Sequence, residues 1–409
     1  LLISIIFCIE IYIFLIVSRK VEFYNPILFF LVLPIFYANS LFLDYILFGE
    51  GYIQLSVMRR SDLDVSDFNY LIIVLLTFLY VIGVYKSFAT RSVSFNELIE
   101  RTQLQTLYFE KHNTYSALKF SFIFACLAYL LTESFQMYGM SRDETRMLGR
   151  PIRSLMLMST FMFLCYTLMY EWKYKLLNIF IFLTLLIFSI VNFERENILL
   201  LGFALLLNTK PKKITLFHAF IAILTLIFLI YYKLFSSLFN LYINGVDISN
   251  IAIDPIRLVN VDPIASLLML ADFLDDSSSY ITYYGSYLVN TAMQFVRMGM
   301  DINWMSLSEF AQEYYTQGEM GTAFSMIMES MLNFWYFGPF IVGFFITYLF
   351  YKTEKVTRFY YKLHYFIFFV FMLKLVRTEL AVVLKIYIFP AVVAYIIFVW
   401  CTNIKPLKK

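Results

Sequence analysis

LLISIIFCIEIYIFLIV, residues 1–17, holds one serine and one glutamate and is otherwise apolar. A helix on the surface of a soluble protein keeps a polar face, and this stretch has none. A signal-peptide core runs to about 7–15 residues before a small-residue cleavage site. This run is longer, and no such site follows Val17. It is expected to be a membrane span, because a helix crossing hydrocarbon needs roughly 17–25 apolar residues.

The same character extends outward along the chain. Its 409 residues are 61% hydrophobic, 20% aromatic and 15% charged, against about 45–50% apolar and about 25% charged in soluble domains. One soluble core cannot bury that surplus, so it must face lipid. A net charge of +3 excludes a nucleic-acid footprint spread along the chain. Cys8, Cys126, Cys165 and Cys401 lie singly in apolar runs and read as buried free thiols. His112, His218 and His364 have no metal-ligand spacing, so neither a metal nor another cofactor is expected.

Eleven stretches are candidates: 1–17, 23–43, 69–85, 116–137, 154–170, 176–193, 197–208, 214–235, 323–351, 363–377 and 379–401; the seventh is short, and the last two are parted only by the polar VRTE. The expected fold is therefore an all-α polytopic membrane protein of about eleven transmembrane helices, ten to twelve. Residues 1–235 form spans one to eight and 236–322 a large outer loop. Residues 323–409 form spans nine to eleven and a tail. Loop charge orients the chain. One side has nineteen Lys and Arg against seven Asp and Glu, a balance of +12; the other has thirteen against twenty-two, a balance of −9. The basic side is read as cytoplasmic.

Fifteen of the eighteen lysines lie on the inner side, yet ten of the fourteen arginines lie on the outer side. Topology has no use for outward arginine, whose planar fork grips phosphate at two points. Those ten are Arg59, Arg60, Arg142, Arg146, Arg150, Arg153, Arg195, Arg257, Arg297 and Arg377. Arg59 and Arg60 face Asp62 and Asp64 and have ready partners. Arg195 and Arg377 stand at outer span ends, where charge is expensive and usually functional. Arg142, Arg146 and Arg150 recur every four residues, on one face if helical.

The outer loop is rich in tyrosine, including Tyr284, Tyr287, Tyr314 and Tyr315, and contains PIASLLMLADFL and the amphipathic SYLVNTAMQFVRMGM. Aromatic faces beside Asp, Asn and Gln suit sugars; headgroup anchoring is the alternative. Asp275 and Asp276, before three serines, read as a solvated turn. Glu329 and Asn333, four residues apart, share a helix face. Gly338–Pro339 is expected to break that helix, and Gly343 to permit close packing. Arg377 and Glu379 interrupt the last apolar stretch at a short outer turn.

The arginine turn NFEREN (192–197), the post-loop segment GTAFSMIMESMLNFWYFGPF (321–340) and the late VRTEL (376–380) carry a resemblance to the Wzy-type O-antigen and capsular polysaccharide polymerases. It covers most of the chain in layout and about fifty residues in motif. The resemblance implies a metal-independent glycosyltransferase in the bacterial inner membrane, active at its periplasmic face in lipopolysaccharide or capsule synthesis. It implies undecaprenyl-diphosphate-linked oligosaccharide as donor and acceptor, membrane lipid around the site, and a chain-length regulator protein as partner. By resemblance Arg195 and Arg377 are diphosphate clamps, and Glu329 is the general base, its orienting partner, or the partner of an outer arginine. Arg142, Arg146, Arg150, Arg297, Asn333, Glu196, Glu379, Tyr314 and Tyr315 complete the expected substrate-binding set.

Three alternatives compete. The related O-antigen ligases use an outer-loop histidine, whereas all three histidines here map to the inner side. A GT-C transferase would favour paired carboxylates in the first outer loop, where Asp44 and Glu50 stand without a paired motif. A lipid-linked oligosaccharide flippase is commonly built from internal repeats, and the chain shows none.

Overall fold

The computed structural model describes residues 2–21, 25–42, 66–90, 266–278, 284–297, 326–356, 361–376 and 379–384. It also describes single positions and short pieces within 179–186, 198–203, 305–310 and 388–396. The elements are α1 (Leu2–Ser18), α2 (Pro26–Ala38), α3 (Asp67–Ala89), α4 (Ser286–Arg297), α5 (Met326–Phe334), α6 (Gly338–Val356), α7 (Tyr361–Leu375) and α8 (Leu380–Val383). A further helical stretch occupies 266–275. Among the described residues there is no strand. α1, α2, α3, α5, α6, α7 and α8 fall on apolar stretches the sequence marks, whereas α4 and the stretch at 266–275 fall within 236–322.

Their ends follow from capping chemistry. Asn25 Oδ1 accepts from Ile27 N at 3.0 Å ahead of Pro26, whose missing N–H costs nothing at a first position. Ser66 Oγ accepts from Asn69 N at 3.1 Å, with Asp67 in the first turn of α3 and Lys86 in the last. Both charges oppose the helix dipole. At 23 residues α3 is long and apolar enough to cross a membrane, as is Met326–Glu354, which joins α5 to α6.

The chain divides into two units. One comprises Leu1–Val93, Val259–Thr357 and Ile367–Ile388, the other Ser94–Leu258, Arg358–Phe366 and Phe389–Lys409. In the second, Leu185, Leu200 and Leu201 are buried, and Phe203 meets Phe366 with ring centres 6.5 Å apart.

The first unit holds the elements that matter here. Contacts give the direction of each helix. Glu10 meets Asn39 and Phe7 meets Phe42, so α1 and α2 are antiparallel. The Tyr80 hydroxyl donates to Phe30 O at 2.7 Å, while Pro34 and Ala38 meet Ile73 and Thr77 around one cavity; α2 and α3 are therefore antiparallel as well. Tyr80 lies on Gly343, and Phe88, eight residues on, on Tyr351, also eight on; α3 and α6 run parallel. They approach closely because neither has a side chain at the crossing. A Cβ on Gly83 would strike the Phe340 carbonyl, and one on Gly343 would lie 2.6 Å from Tyr80 O. Glu329 meets Leu380 at one end of the unit and Phe350 meets Phe368 further along, so α7 returns antiparallel to α6. Residues 38–42, 66–70, 326–329, 376 and 379–380 thus gather at one end; Arg19, Lys20, Lys86 and Lys352 stand toward the other.

The break before Pro339 is present and sharp. Residues Trp335–Phe337 form a 3-10 turn, with Trp335 at φ 55, a left-handed conformation that costs a non-glycine residue about 1–3 kcal/mol. Gly338 is required there, because a Cβ would overlap the Ser330 carbonyl.

The stretch at 266–275 is not a surface helix. Ser266, Leu267, Leu268, Met269, Leu270, Ala271 and Phe273 are all buried. Asp275 Oδ1 accepts from Asn69 Nδ2 at 2.8 Å, tying its end to the start of α3. Asp276 accepts from the backbone and hydroxyl of Ser278, the turn expected of this acidic pair. Cys8 is free as expected but exposed rather than buried, because it faces away from α2 and α3 on the side of α1 that carries Ile5, Ile9 and Tyr12.

Candidate functional site

Three segments distant in sequence meet at one end of the first unit: α4, α5 and the turn entering α8. Glu329 and Glu379, from the latter two, are both fully buried. The Glu329 carboxylate accepts from Leu380 N, at 3.0 Å to Oε2 and 3.3 Å to Oε1. Glu379 Oε2 accepts from Asn290 Nδ2 at 2.6 Å. The sequence places Glu379 in a short polar turn; the fold puts its carboxylate inside.

Asn333 holds α4 to α5. Its Nδ2 donates to Glu329 O at 2.7 Å and to Ser286 Oγ at 3.0 Å, and its Oδ1 accepts from Tyr287 N at 2.9 Å. The last bond satisfies a donor that a helix start leaves free. Gly285, at φ 76, sets the turn into α4, and its N–H donates to Leu332 O at 3.1 Å. Both amide hydrogens of Asn333 are therefore committed, and its observed role is to position α4.

α4 is amphipathic, as the sequence indicates, but it is turned inward by its polar face. Ser286 and Asn290 are buried, whereas Leu288 is 78% exposed and Val289 and Val296 are also open. Two hydroxyls on the inner side, Tyr287 Oη and Thr291 Oγ1, are buried and have no hydrogen-bond partner among the described residues. They are four residues apart and so share a helix face. Burial pushes the Tyr287 phenol well above its usual pKa, and the Glu329 carboxylate adds to the shift. The hydroxyl stays protonated and available as a donor. Over this polar layer Tyr287 packs on Phe334 and Tyr284 on Trp335, with ring centres 6.1 and 5.7 Å apart. Phe334, Trp335, Tyr336 and Phe337 are all exposed.

The arrangement brings two buried carboxyl groups, and two hydroxyls without a partner among the described residues, together under an aromatic rim. A cavity beside it, lined by Thr77, Leu270, Ile327 and Val376, holds about 20 Å³, room for one water and none for a sugar. Among the described residues no group of three or more metal-ligating side chains occurs.

Of the residues expected from sequence, Glu329, Asn333 and Glu379 come together here. Arg297 ends α4. Arg142, Arg146, Arg150, Arg195, Glu196, Tyr314, Tyr315 and Arg377 lie outside the described residues. Sequence reasoning missed Asn290 and Thr291. Their signal was present: Ser286, Tyr287, Asn290 and Thr291 recur at helical spacing on one face of α4. No protein-family model matches the chain, and no curated protein or solved structure does.

Proposed function

We propose that the protein is a membrane-embedded polysaccharide polymerase that joins lipid-diphosphate-linked oligosaccharide units at the periplasmic face of the bacterial inner membrane. The observation that carries this reading is the buried pair Glu329–Glu379 facing the polar side of α4, where the hydroxyls of Tyr287 and Thr291 have no partner among the described residues. Buried hydroxyls without partners are costly, and a sugar bound among them would supply the missing bonds.

The partition of side chains supports a lipid setting. Glu10, Asn39, Asn290, Glu329 and Glu379 are inside, while Leu2, Ile5, Leu288, Ile341 and Phe345 are outside. Arg19, Lys20, Lys86 and Lys352 lie toward the end away from Glu329, as inward-facing charge would. Under the eleven-span reading of the sequence, this end of the unit would face the outer side, where 236–322 is expected as a loop.

In this mechanism Glu329 accepts the proton of an acceptor hydroxyl held by Tyr287 and Thr291. The freed oxygen attacks the donor's anomeric carbon, and the bond to the lipid diphosphate breaks with its electron pair going to phosphate. Arg377, two residues before Glu379, and Arg195 bind the diphosphate and stabilise its growing charge. Lysine lacks the two-point fork. Arg195→Lys and Arg377→Lys are therefore expected to lower chain extension at least tenfold while single units still reach the acceptor. Purified protein given only lipid-linked units should lengthen them in the presence of chelator. Wild-type chain lengths in both variants would refute the clamp roles, and dependence on added divalent metal would point to a GT-C transferase instead.

A further inference from the structure

Glu10 is the one acidic residue of α1, and the fold buries it completely. Asn39, at the end of α2, is buried as fully. Its Nδ2 donates to Glu10 Oε2 at 3.2 Å and to its own helix at Ile35 O, 2.9 Å away. Two oxygens of this pair are left over. Glu10 Oε1 and Asn39 Oδ1 are both buried and have no hydrogen-bond partner among the described residues. An ionised carboxylate and an amide oxygen are acceptors only, so neither can satisfy the other.

A neutral carboxylic acid and a primary amide are complementary at two points. The amide N–H donates to one acid oxygen, and the acid O–H donates to the amide oxygen. The first bond is present here, and the two unpartnered atoms are those that form the second. We propose that Glu10 and Asn39 constitute a proton-binding site: a proton carried on Glu10 Oε1 is donated to Asn39 Oδ1, closing a neutral acid–amide ring that docks α1 on α2. The chemistry is independent of the glycan site, which lies on other helices.

The surroundings favour a proton over a metal cation. α2 contributes no carboxylate and no cation, and its one titratable side chain is Tyr37. From α3 the titratable group within the field of Glu10 is Tyr70, whose buried hydroxyl faces the backbone of Phe42. A bare carboxylate here would stand in an apolar helix with no neighbouring positive charge among these groups, whereas one proton removes the charge and satisfies both oxygens.

The test uses the full chain in lipid nanodiscs at neutral pH. The infrared difference between wild type and Glu10→Gln should show the carbonyl band of a protonated carboxylic acid, and Tyr70→Phe should leave that band in place. Glu10→Gln presents an amide N–H in place of the acid O–H, so its Tm should stay within about 1 °C of wild type. Glu10→Ala and Asn39→Leu should lower it by about 2–4 °C. Carboxylate bands alone in the difference spectrum would overturn the proposal. So would a Glu10→Gln variant as unstable as Glu10→Ala, or a wild-type Tm that rises with sodium or potassium while that of Glu10→Gln does not. Should the alanine variant fail to fold, the infrared difference decides by itself.

Discussion

Removing the contact between Asn290 and Glu379 tests whether α4 is held by the buried carboxyl groups. The Nδ2–Oε2 distance is 2.6 Å and both side chains are buried, so the bond is shielded from water and, with Glu379 as a carboxylate, charge-assisted. Such a bond is worth about 1.5–3 kcal/mol, and a buried acceptor left unsatisfied costs a similar amount. Asn290→Ala should therefore destabilise the protein by about 2–3 kcal/mol, measured by unfolding in mixed detergent–lipid micelles. Glu379→Ala removes the same bond together with the carboxylate's other contacts, so its total will be larger and less informative. The double-mutant cycle separates the two. A coupling of about 1.5–3 kcal/mol is expected. Chain extension should fall with stability in Asn290→Ala, because α4 then loses its hold on the site. A coupling below about 0.5 kcal/mol, the scatter of independent sites, would show that the two side chains do not share a buried bond and would refute the site as drawn.

Glycine substitutions should separate by place. Gly83→Ala and Gly343→Ala put a methyl against the backbone of the facing helix and should each cost about 1–3 kcal/mol. Gly202→Ala has nothing within 4 Å and should be neutral or stabilising by up to about 1 kcal/mol; melting curves of the three rank them. Tyr287→Phe removes a buried hydroxyl without a partner among the described residues, so stability at neutral pH should hold or rise while chain extension falls. Because the folded phenol's pKa is raised, its contribution is complete below the ordinary value of about 10 and is lost as pH climbs through the folded value. The alkaline fall in wild-type Tm should therefore be shallower in Tyr287→Phe, and an identical alkaline limb in both would count against its burial.

Much of the fold was legible because length and apolarity suffice to mark helices of this kind. The stretches 1–17, 69–85 and 363–377 became Leu2–Ser18, Asp67–Ala89 and Tyr361–Leu375, with Ser66 and Asn25 placed where capping requires them. The break at Gly338–Pro339 and the close approach at Gly343 were legible for the same local reason: a missing N–H and a missing Cβ act wherever they stand. The pairing of Glu329 with Asn333 on one face was also local, being set by helical spacing alone.

What sequence could not decide was which way each face turns and what it meets. SYLVNTAMQFVR is amphipathic in either orientation, and its polar side faces inward only because Glu379 and Asn333 are there to receive it. PIASLLMLADFL repeats at helical spacing, but only packing shows that its helical part from Ser266 onward is buried, with Asp275 bound to Asn69. The first seventeen residues could be read as an apolar helix from composition alone, because that reading needs no knowledge of neighbours. That their single acid, Glu10, would be buried against Asn39 rests on a contact 29 residues away. Such a contact depends on the direction and rotation of two packed helices, and local preferences specify neither.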